Sequence, residues 1–144
     1  MMTNKNELPA SVLFVCTLNS IRSPMAEGMM KARYGEDVYV QSCGLEAGEL
    51  SDLMVAVMRE KGMDLSAHKS KTLAEIADTS FDVVIVFNKD AEAAVRAVFD
   101  DSDTEICVWP TPDPTQGAMD VRAMMDNFRA VRDVIEMRID KKFG

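Results

Sequence analysis

The chain has 144 residues, of which 47% are hydrophobic and 28% are charged, a composition typical of a globular protein with a buried core. Sixteen basic residues against 24 acidic ones give a net charge of −8, which disfavours general binding to nucleic acid or to anionic membranes. No apolar run approaches the length of about 20 residues that a membrane helix needs, and no signal peptide is evident. Three widely spaced cysteines and one histidine favour a reducing cytoplasm over a disulfide framework or a zinc site.

The predicted elements alternate between strands and helices after a flexible tail at residues 1–10, and residues 11–144 are expected to form a single domain. In chain order they are strand 11–16, helix 24–34, strand 38–43, helix 52–61, short helix 72–78, strand 81–87, helix 91–99, strand 105–109 and a final helix at about 119–141. This alternation predicts an α/β protein with a four-stranded parallel open sheet and helices on both faces.

The most informative segment connects the first predicted strand to the first predicted helix. It has the pattern C-x5-R-S and begins at Cys16. A cysteine at a strand end is usually a buried small hydrophobe, but here the loop's N–H groups and the following helix N-terminus form a cradle for a tetrahedral oxyanion. Arg22 can clamp two oxygens, and the same field favours the nucleophilic thiolate of Cys16. The predicted anion-binding residues are Thr17, Leu18, Asn19, Ser20, Ile21, Arg22 and Ser23.

Three further residues are candidates for the same site. Asn19 is expected to adopt the left-handed conformation that such a loop requires, although asparagine is also common in surface loops. Asp113 lies between two prolines after the fourth predicted strand and either protonates a leaving oxygen or makes a turn or helix cap. His68 is either an ordinary structural histidine or a residue that holds Asn19 or Ser42. The twelve methionines are expected to fill the core, so no metal is expected.

Two segments, VLFVCTLNSIRSPMAEG and PDPTQG, resemble the low-molecular-weight protein tyrosine phosphatase family, which also contains thiol-coupled arsenate reductases. The resemblance implies a two-step reaction without metal or cofactor. Cys16 attacks phosphorus, Arg22 and the loop N–H groups hold the oxygens, and Asp113 acts first as acid and then as base. It also implies that Ser23 hydrogen-bonds the thiolate. The residues that hold the loop in the family correspond to Asn19, Ser42 and His68.

The chain departs from the family pattern at the rim of the site. Leu18 stands where the family usually has glycine, and Ile21 stands where many of its phosphatases have a second cysteine. Thr115 and Gln116 follow Asp113 and Pro114, where phosphotyrosine-selective members carry tyrosines, so an aromatic wall is missing from that loop.

Three functions follow from these features. The leading one is hydrolysis of a phosphomonoester, as a protein tyrosine phosphatase acting on a phosphorylated protein or a small phosphomonoester. The second is arsenate reduction with external thiols, because Cys43 ends one predicted strand and Cys107 lies inside another, so they do not form a mobile pair. The third is non-catalytic binding of phosphate, sulfate or a phosphoprotein, with Leu18 preventing turnover.

Overall fold

A computed structural model describes residues 8–76, 79–99 and 103–144. Most of the predicted tail and the end of the predicted 72–78 helix therefore lie outside the described residues. The elements are β1 (Ser11–Cys16), α1 (Arg22–Tyr34), β2 (Tyr39–Gly44), α2 (Asp52–Arg59), α3 (Leu73–Ile76), β3 (Val83–Val86), α4 (Lys89–Phe99), β4 (Glu105–Val108) and α5 (Val121–Phe143).

The strands form one four-stranded parallel sheet in the order β2-β1-β3-β4, which confirms the predicted fold class. Successive residues of β1 point to opposite faces of the sheet and pack into two apolar clusters. Phe14 packs with residues of α1, α2 and α5 on one face, and Val15 packs with residues of α3 and α4 on the other. The chain leaves β1 toward β2 and returns on its other side as β3, so the ends of β1 and β3 flank the switch point where such sheets bind ligands.

Several predicted boundaries were wrong by a few residues, and the capping residues explain two of the differences. Helix α4 begins before the predicted residue 91 because the side chain of Asn88 accepts a hydrogen bond from the Ala91 N–H at 2.7 Å. Helix α5 begins after residue 119 because the side chain of Asp120 accepts from the Ala123 N–H at 2.8 Å. Within the described part of the chain, every helix is too short or too polar to span a membrane.

Candidate functional site

The Cys16 loop, residues 16–23, joins β1 to α1 and surrounds a cavity of about 110 Å³. Its lining comprises Cys16, Thr17, Leu18, Ser20, Ile21, Arg22 and Asp113. Cys16 is 2% exposed at the carboxyl end of β1, where its side chain belongs to the α1 side of the sheet. Helix α1 begins at Arg22, and the preceding Ile21 provides no side-chain cap. The first N–H groups of α1 therefore lack a side-chain cap, and a bound anion at this helix end would satisfy them.

Asn19 has a φ of 55°, the left-handed conformation expected from the sequence, and its side chain is 0% exposed. Its amide nitrogen donates to Ser23 Oγ at 2.8 Å and to Ser42 Oγ at 2.9 Å. Its amide oxygen accepts from His68 Nε2 at 3.1 Å and from the Lys71 N–H at 3.0 Å. The structure thus brings Asn19, Ser23, Ser42 and His68 together. The side chains of Asn19 and Ser23 lie behind the cavity and do not line it.

The hydroxyl of Ser23 connects this network to the sulfur. Ser23 Oγ lies 2.9 Å from Cys16 Sγ and accepts a hydrogen bond from Asn19. Because the Asn19 amide supplies that proton, the Ser23 hydroxyl keeps its own proton for the sulfur or for the Cys43 carbonyl, 3.4 Å away. This arrangement directs a hydrogen-bond donor at a thiolate on Cys16.

Glu27 is a member of this network that the sequence analysis missed. Its buried carboxylate accepts from Ser42 Oγ and from Lys31 Nζ, the latter at 2.5 Å. It also lies 3.8 Å from His68 Nδ1. Burial nevertheless holds the pKa of His68 below its ordinary value, although Glu27 opposes this shift. A neutral His68 can donate through Nε2 to the Asn19 oxygen. Glu27 lies four residues after Ser23, one turn along the same helix, and this spacing was the available signal.

The segment that follows β2 wraps around the outside of the Cys16 loop. The N–H groups of Leu45 and Glu46 donate to the Thr17 carbonyl at 2.8 and 3.0 Å, and the Gly48 N–H donates to the Leu18 carbonyl at 2.8 Å. Leu18 is 43% exposed at the cavity rim and packs against Gly48. Among the described non-glycine residues only Asn19 has a positive φ, so leucine at position 18 does not impose left-handed backbone strain.

The Asp113 loop, residues 110–117, carries the carboxylate that lines the cavity. Arg22 Nη1 donates to the Thr111 carbonyl at 2.8 Å, which ties this loop to the Cys16 loop. Asp113 Oδ1 accepts from the N–H and the hydroxyl of Thr115 at 2.9 and 2.6 Å. Burial favours the neutral acid, but the hydrogen bonds from Thr115 and the charge of Arg22 outweigh it and hold the pKa of Asp113 below its ordinary value. The sequence analysis did not assign roles to Thr111 and Thr115.

The other two cysteines cannot form a disulfide with Cys16 in this fold. Cys43 packs with Val15 on the opposite face of the sheet, so the side chains of Cys43 and Cys16 point apart. Burial raises the pKa of Cys43 to about 12, which keeps its thiol protonated. In the sheet, Cys107 on β4 lies opposite Ile85 on β3, which lies opposite Phe14 on β1. Cys107 is therefore two strands away from β1 and level with a residue two positions before Cys16. Strand geometry makes this Cα separation about 12 Å, beyond the limit of about 7 Å for a disulfide.

Within residues 8–76, 79–99 and 103–144, histidine, cysteine, aspartate and glutamate side chains do not form a group of three or more that could hold a metal ion. The polar groups around the cavity instead combine a thiol, a guanidinium, a carboxyl group and a helix N-terminus. This set is suited to binding a tetrahedral oxyanion and to transferring it to sulfur.

The family model for low molecular weight phosphotyrosine protein phosphatases matches residues 11–143. The chain belongs to this family. Its relatives include a protein named glutaredoxin arsenate reductase from Synechocystis, which is 32% identical over 134 residues that cover 90% of this chain and 92% of the relative.

Two solved structures show the range of activities on this fold. The tyrosine phosphatase amsI of Erwinia amylovora has a TM-score of 0.77 and 26% identity, and the match covers 93% of this chain and 91% of that one. The arginine phosphatase YwlE from Geobacillus stearothermophilus has a TM-score of 0.76 and 28% identity, with 92% and 90% of the two chains covered. The family therefore fixes a cysteine-dependent oxyanion chemistry and leaves the individual substrate to be argued from the site.

Proposed function

We propose that the protein hydrolyses phosphomonoesters through a covalent phosphocysteine on Cys16. The observation that carries the proposal is that Asp113 lines the same small cavity as Cys16 and Arg22. A nucleophile, an anion clamp and an acid therefore converge on the volume that a phosphoryl group would occupy. A reducing cytoplasm suits this chemistry, because the Cys16 sulfur must remain unoxidised.

In the first step, the Cys16 sulfur attacks phosphorus and the bond from phosphorus to the ester oxygen breaks. Arg22 and the N–H groups at the start of α1 hold the three equatorial oxygens while negative charge spreads over them. The carboxyl group of Asp113 gives its proton to the departing oxygen. The alcohol or phenol leaves, and the phosphoryl group stays on Cys16.

In the second step, water attacks the phosphocysteine and the bond from sulfur to phosphorus breaks. The Asp113 carboxylate formed in the first step accepts a proton from that water. Ser23 Oγ, 2.9 Å from Cys16 Sγ, donates to the thiolate as it leaves. Inorganic phosphate is released, and both Cys16 and Asp113 regain their starting states.

The lowered pKa of Asp113 favours aryl phosphates as substrates, and phosphotyrosine is the biological example. Because the pKa of Asp113 lies below its ordinary value, a small fraction of the enzyme carries the required proton at neutral pH. A phenolate is less basic than an alkoxide, so its departure depends less on that proton. At the cavity rim, the aliphatic side chains of Leu18 and Ile21, rather than aromatic side chains, would contact the aryl ring of the substrate.

The test is hydrolysis of para-nitrophenyl phosphate by the wild type, Cys16→Ser and the control Cys107→Ser. Cys107 is a half-buried thiol outside the cavity lining, so its loss is expected to leave turnover within about twofold of the wild type. Loss of the Cys16 thiol is expected to reduce turnover by about 10⁴-fold or more. Equal turnover in all three proteins, or none in the wild type, would refute the proposal.

Reduction of arsenate with external thiols is a second candidate, favoured by the name of the Synechocystis relative. Cys16 would displace water from arsenate and form a bond from sulfur to As(V). An external thiol would then attack the Cys16 sulfur, and arsenic would keep the electron pair and leave as arsenite. A second external thiol would reduce the resulting mixed disulfide. The external thiols are required because Cys43 and Cys107 cannot bridge to Cys16.

Arsenite production distinguishes the two candidates. Wild type and Cys107→Ser would be given arsenate with glutathione, with and without glutaredoxin. Thiol-dependent arsenite formation without hydrolysis of aryl phosphates would replace the first proposal with the second. Aryl phosphate hydrolysis without arsenite formation would eliminate the second.

A further inference from the structure

Asn88 lies at the carboxyl end of β3, beside the loop that follows β1. Its amide nitrogen donates to Thr17 Oγ1 at 2.7 Å, and its amide oxygen accepts from the Ala91 N–H at 2.7 Å. One side chain therefore caps α4 and holds the residue that follows the nucleophile. Neither the sequence analysis nor the reaction described above uses Asn88.

The helix cap determines which atom of the Asn88 amide faces Thr17. The Ala91 N–H is a donor and requires an acceptor, so the amide oxygen must face the helix. The amide nitrogen then has to face Thr17, and because it can only donate, Thr17 Oγ1 must accept. The helix cap thus fixes the polarity of a hydrogen bond inside the Cys16 loop.

A hydroxyl that accepts from Asn88 still has its own proton to donate. Within residues 8–76, 79–99 and 103–144, the Thr17 hydroxyl accepts a hydrogen bond from Asn88 and has no acceptor for its own proton. Thr17 lines the cavity that also contains Cys16 and Arg22. Its main chain is held in place, because its carbonyl accepts from the N–H groups of Leu45 and Glu46. A hydroxyl proton that has no acceptor among the described residues is available to a ligand in that cavity.

We infer that Asn88 is a positioning residue that turns the Thr17 hydroxyl into the cavity, where it donates to a bound oxyanion. The inference rests on the proposed function only in that the cavity binds a tetrahedral oxyanion. A similar arrangement exists at the sulfur, where Asn19 donates to Ser23 and leaves the Ser23 proton available to Cys16. Two asparagine amides thus orient two hydroxyl groups, one toward the sulfur and one toward the anion.

The Asn88→Asp variant reverses this polarity without removing the helix cap. Aspartate caps helices as well as asparagine does, so the melting temperature is expected to stay near that of the wild type. A carboxylate can only accept, so it takes the Thr17 proton away from the cavity. Phosphate affinity is expected to fall by about tenfold or more, the effect of losing one hydrogen bond to a charged group. Thr17→Val is expected to weaken phosphate to a similar degree, and Thr17→Ser is expected to restore it.

The added charge of Asn88→Asp also repels an anion, and a double variant separates the two effects. Dissociation constants for inorganic phosphate would be measured by calorimetry for the wild type, Asn88→Asp, Thr17→Val and the pair combined. We expect Asn88→Asp to weaken phosphate much less in the Thr17→Val background, where only the charge acts. Equal weakening in both backgrounds, or full affinity in Thr17→Val, would overturn the inference. Wild-type protein that does not bind phosphate would refute the oxyanion site itself.

Discussion

The Cys16 loop and the Asp113 loop face the same cavity, but they are held in place differently. Hydrogen bonds reach the Cys16 loop from β2, from residues 68–71, from the end of β3 and from the segment after β2. The Asp113 loop has fewer hydrogen bonds to the rest of the fold. Arg22 donates to the Thr111 carbonyl, and the Thr111 N–H donates to the Phe87 carbonyl at 3.2 Å. Asn127 of α5 donates to the Pro114 carbonyl, and the carboxylate of Asp113 is held by Thr115, two residues away. The first loop is therefore held from more parts of the fold than the second.

This difference assigns separate tasks to the two loops. Hydrogen bonds from four separate parts of the chain restrict the geometry of the Cys16 loop, so we expect this loop to carry the oxyanion chemistry that the family shares. A loop held by fewer contacts tolerates substitution more easily, so we expect the Asp113 loop and the rim to determine the acid and the substrate. The names of the relatives and structural neighbours include arsenate reductase, tyrosine phosphatase and arginine phosphatase, so proteins with this fold have different activities.

Among the variants that compare the two loops, the largest effect is expected from Asp113→Ala. Loss of the acid is expected to slow para-nitrophenyl phosphate turnover by about 10²–10⁴-fold. Phosphate affinity and the alkylation of Cys16 by iodoacetate should change little, because the Cys16 loop is held by other elements. Steady-state kinetics, calorimetry and phosphate protection against alkylation test this separation. Loss of phosphate binding in Asp113→Ala would show that the two loops are not independent.

Paired asparagine variants compare how firmly the two loops are held. Asn19→Ala leaves several buried polar groups without partners and is expected to cost about 2–4 kcal/mol of unfolding free energy. Asn127, whose side chain donates to the Pro114 carbonyl at 3.2 Å, is the matched control for the Asp113 loop. Asn127→Ala is expected to cost less than about 1 kcal/mol. Urea unfolding measures both values, and similar values would contradict the comparison.

Thr115→Val is expected to change the pH dependence and to leave the fold intact. It removes the hydroxyl that donates to Asp113 Oδ1 at 2.6 Å and keeps the side-chain shape. The pKa of Asp113 should rise toward its ordinary value, because the hydrogen bond that stabilises the carboxylate is lost. In the proposed reaction turnover requires the protonated acid, so we expect the decline of turnover with rising pH to begin at higher pH than in the wild type. A pH–rate profile of kcat/KM identical to that of the wild type would show that Thr115 does not influence the acid.

The smallest effect is expected from Leu18→Gly at the rim. Leu18 is half-exposed and has no positive φ, so its removal should change the unfolding free energy by less than about 1 kcal/mol. Turnover of para-nitrophenyl phosphate is expected to change by about threefold or less, because the cradle geometry does not depend on this side chain. A large gain in turnover would instead show that Leu18 obstructs the site and would favour the non-catalytic binding function for the natural protein.

The sequence predicted the fold and the Cys16 loop well because both depend on local patterns. Alternating apolar runs predicted the strand and helix order, and C-x5-R-S between a strand and a helix located the loop that lines the cavity. The left-handed Asn19 followed from the steric preference of asparagine. These features need knowledge of neighbours along the chain and little knowledge of distant contacts.

Two contacts that the sequence analysis missed connect residues far apart in the chain. Asn88 meets Thr17 across 71 positions, and Thr111 meets Arg22 across 89. Such pairs follow from the strand order, which brings the carboxyl ends of β1, β3 and β4 to one edge of the sheet, and a single sequence does not specify that order. The starts of α4 and α5 were missed for a different, local reason, since Asn88 and Asp120 act as caps only when their side chains turn toward the helix.

The most direct test of the central claim is to trap the covalent intermediate. Wild type and Cys16→Ser would be mixed with para-nitrophenyl phosphate, quenched in acid during the first turnover and analysed by mass spectrometry of the peptide that contains residue 16. The account predicts one added phosphoryl group on Cys16 in the wild type and none in Cys16→Ser. Turnover by the wild type without a phosphorylated Cys16 peptide would contradict it.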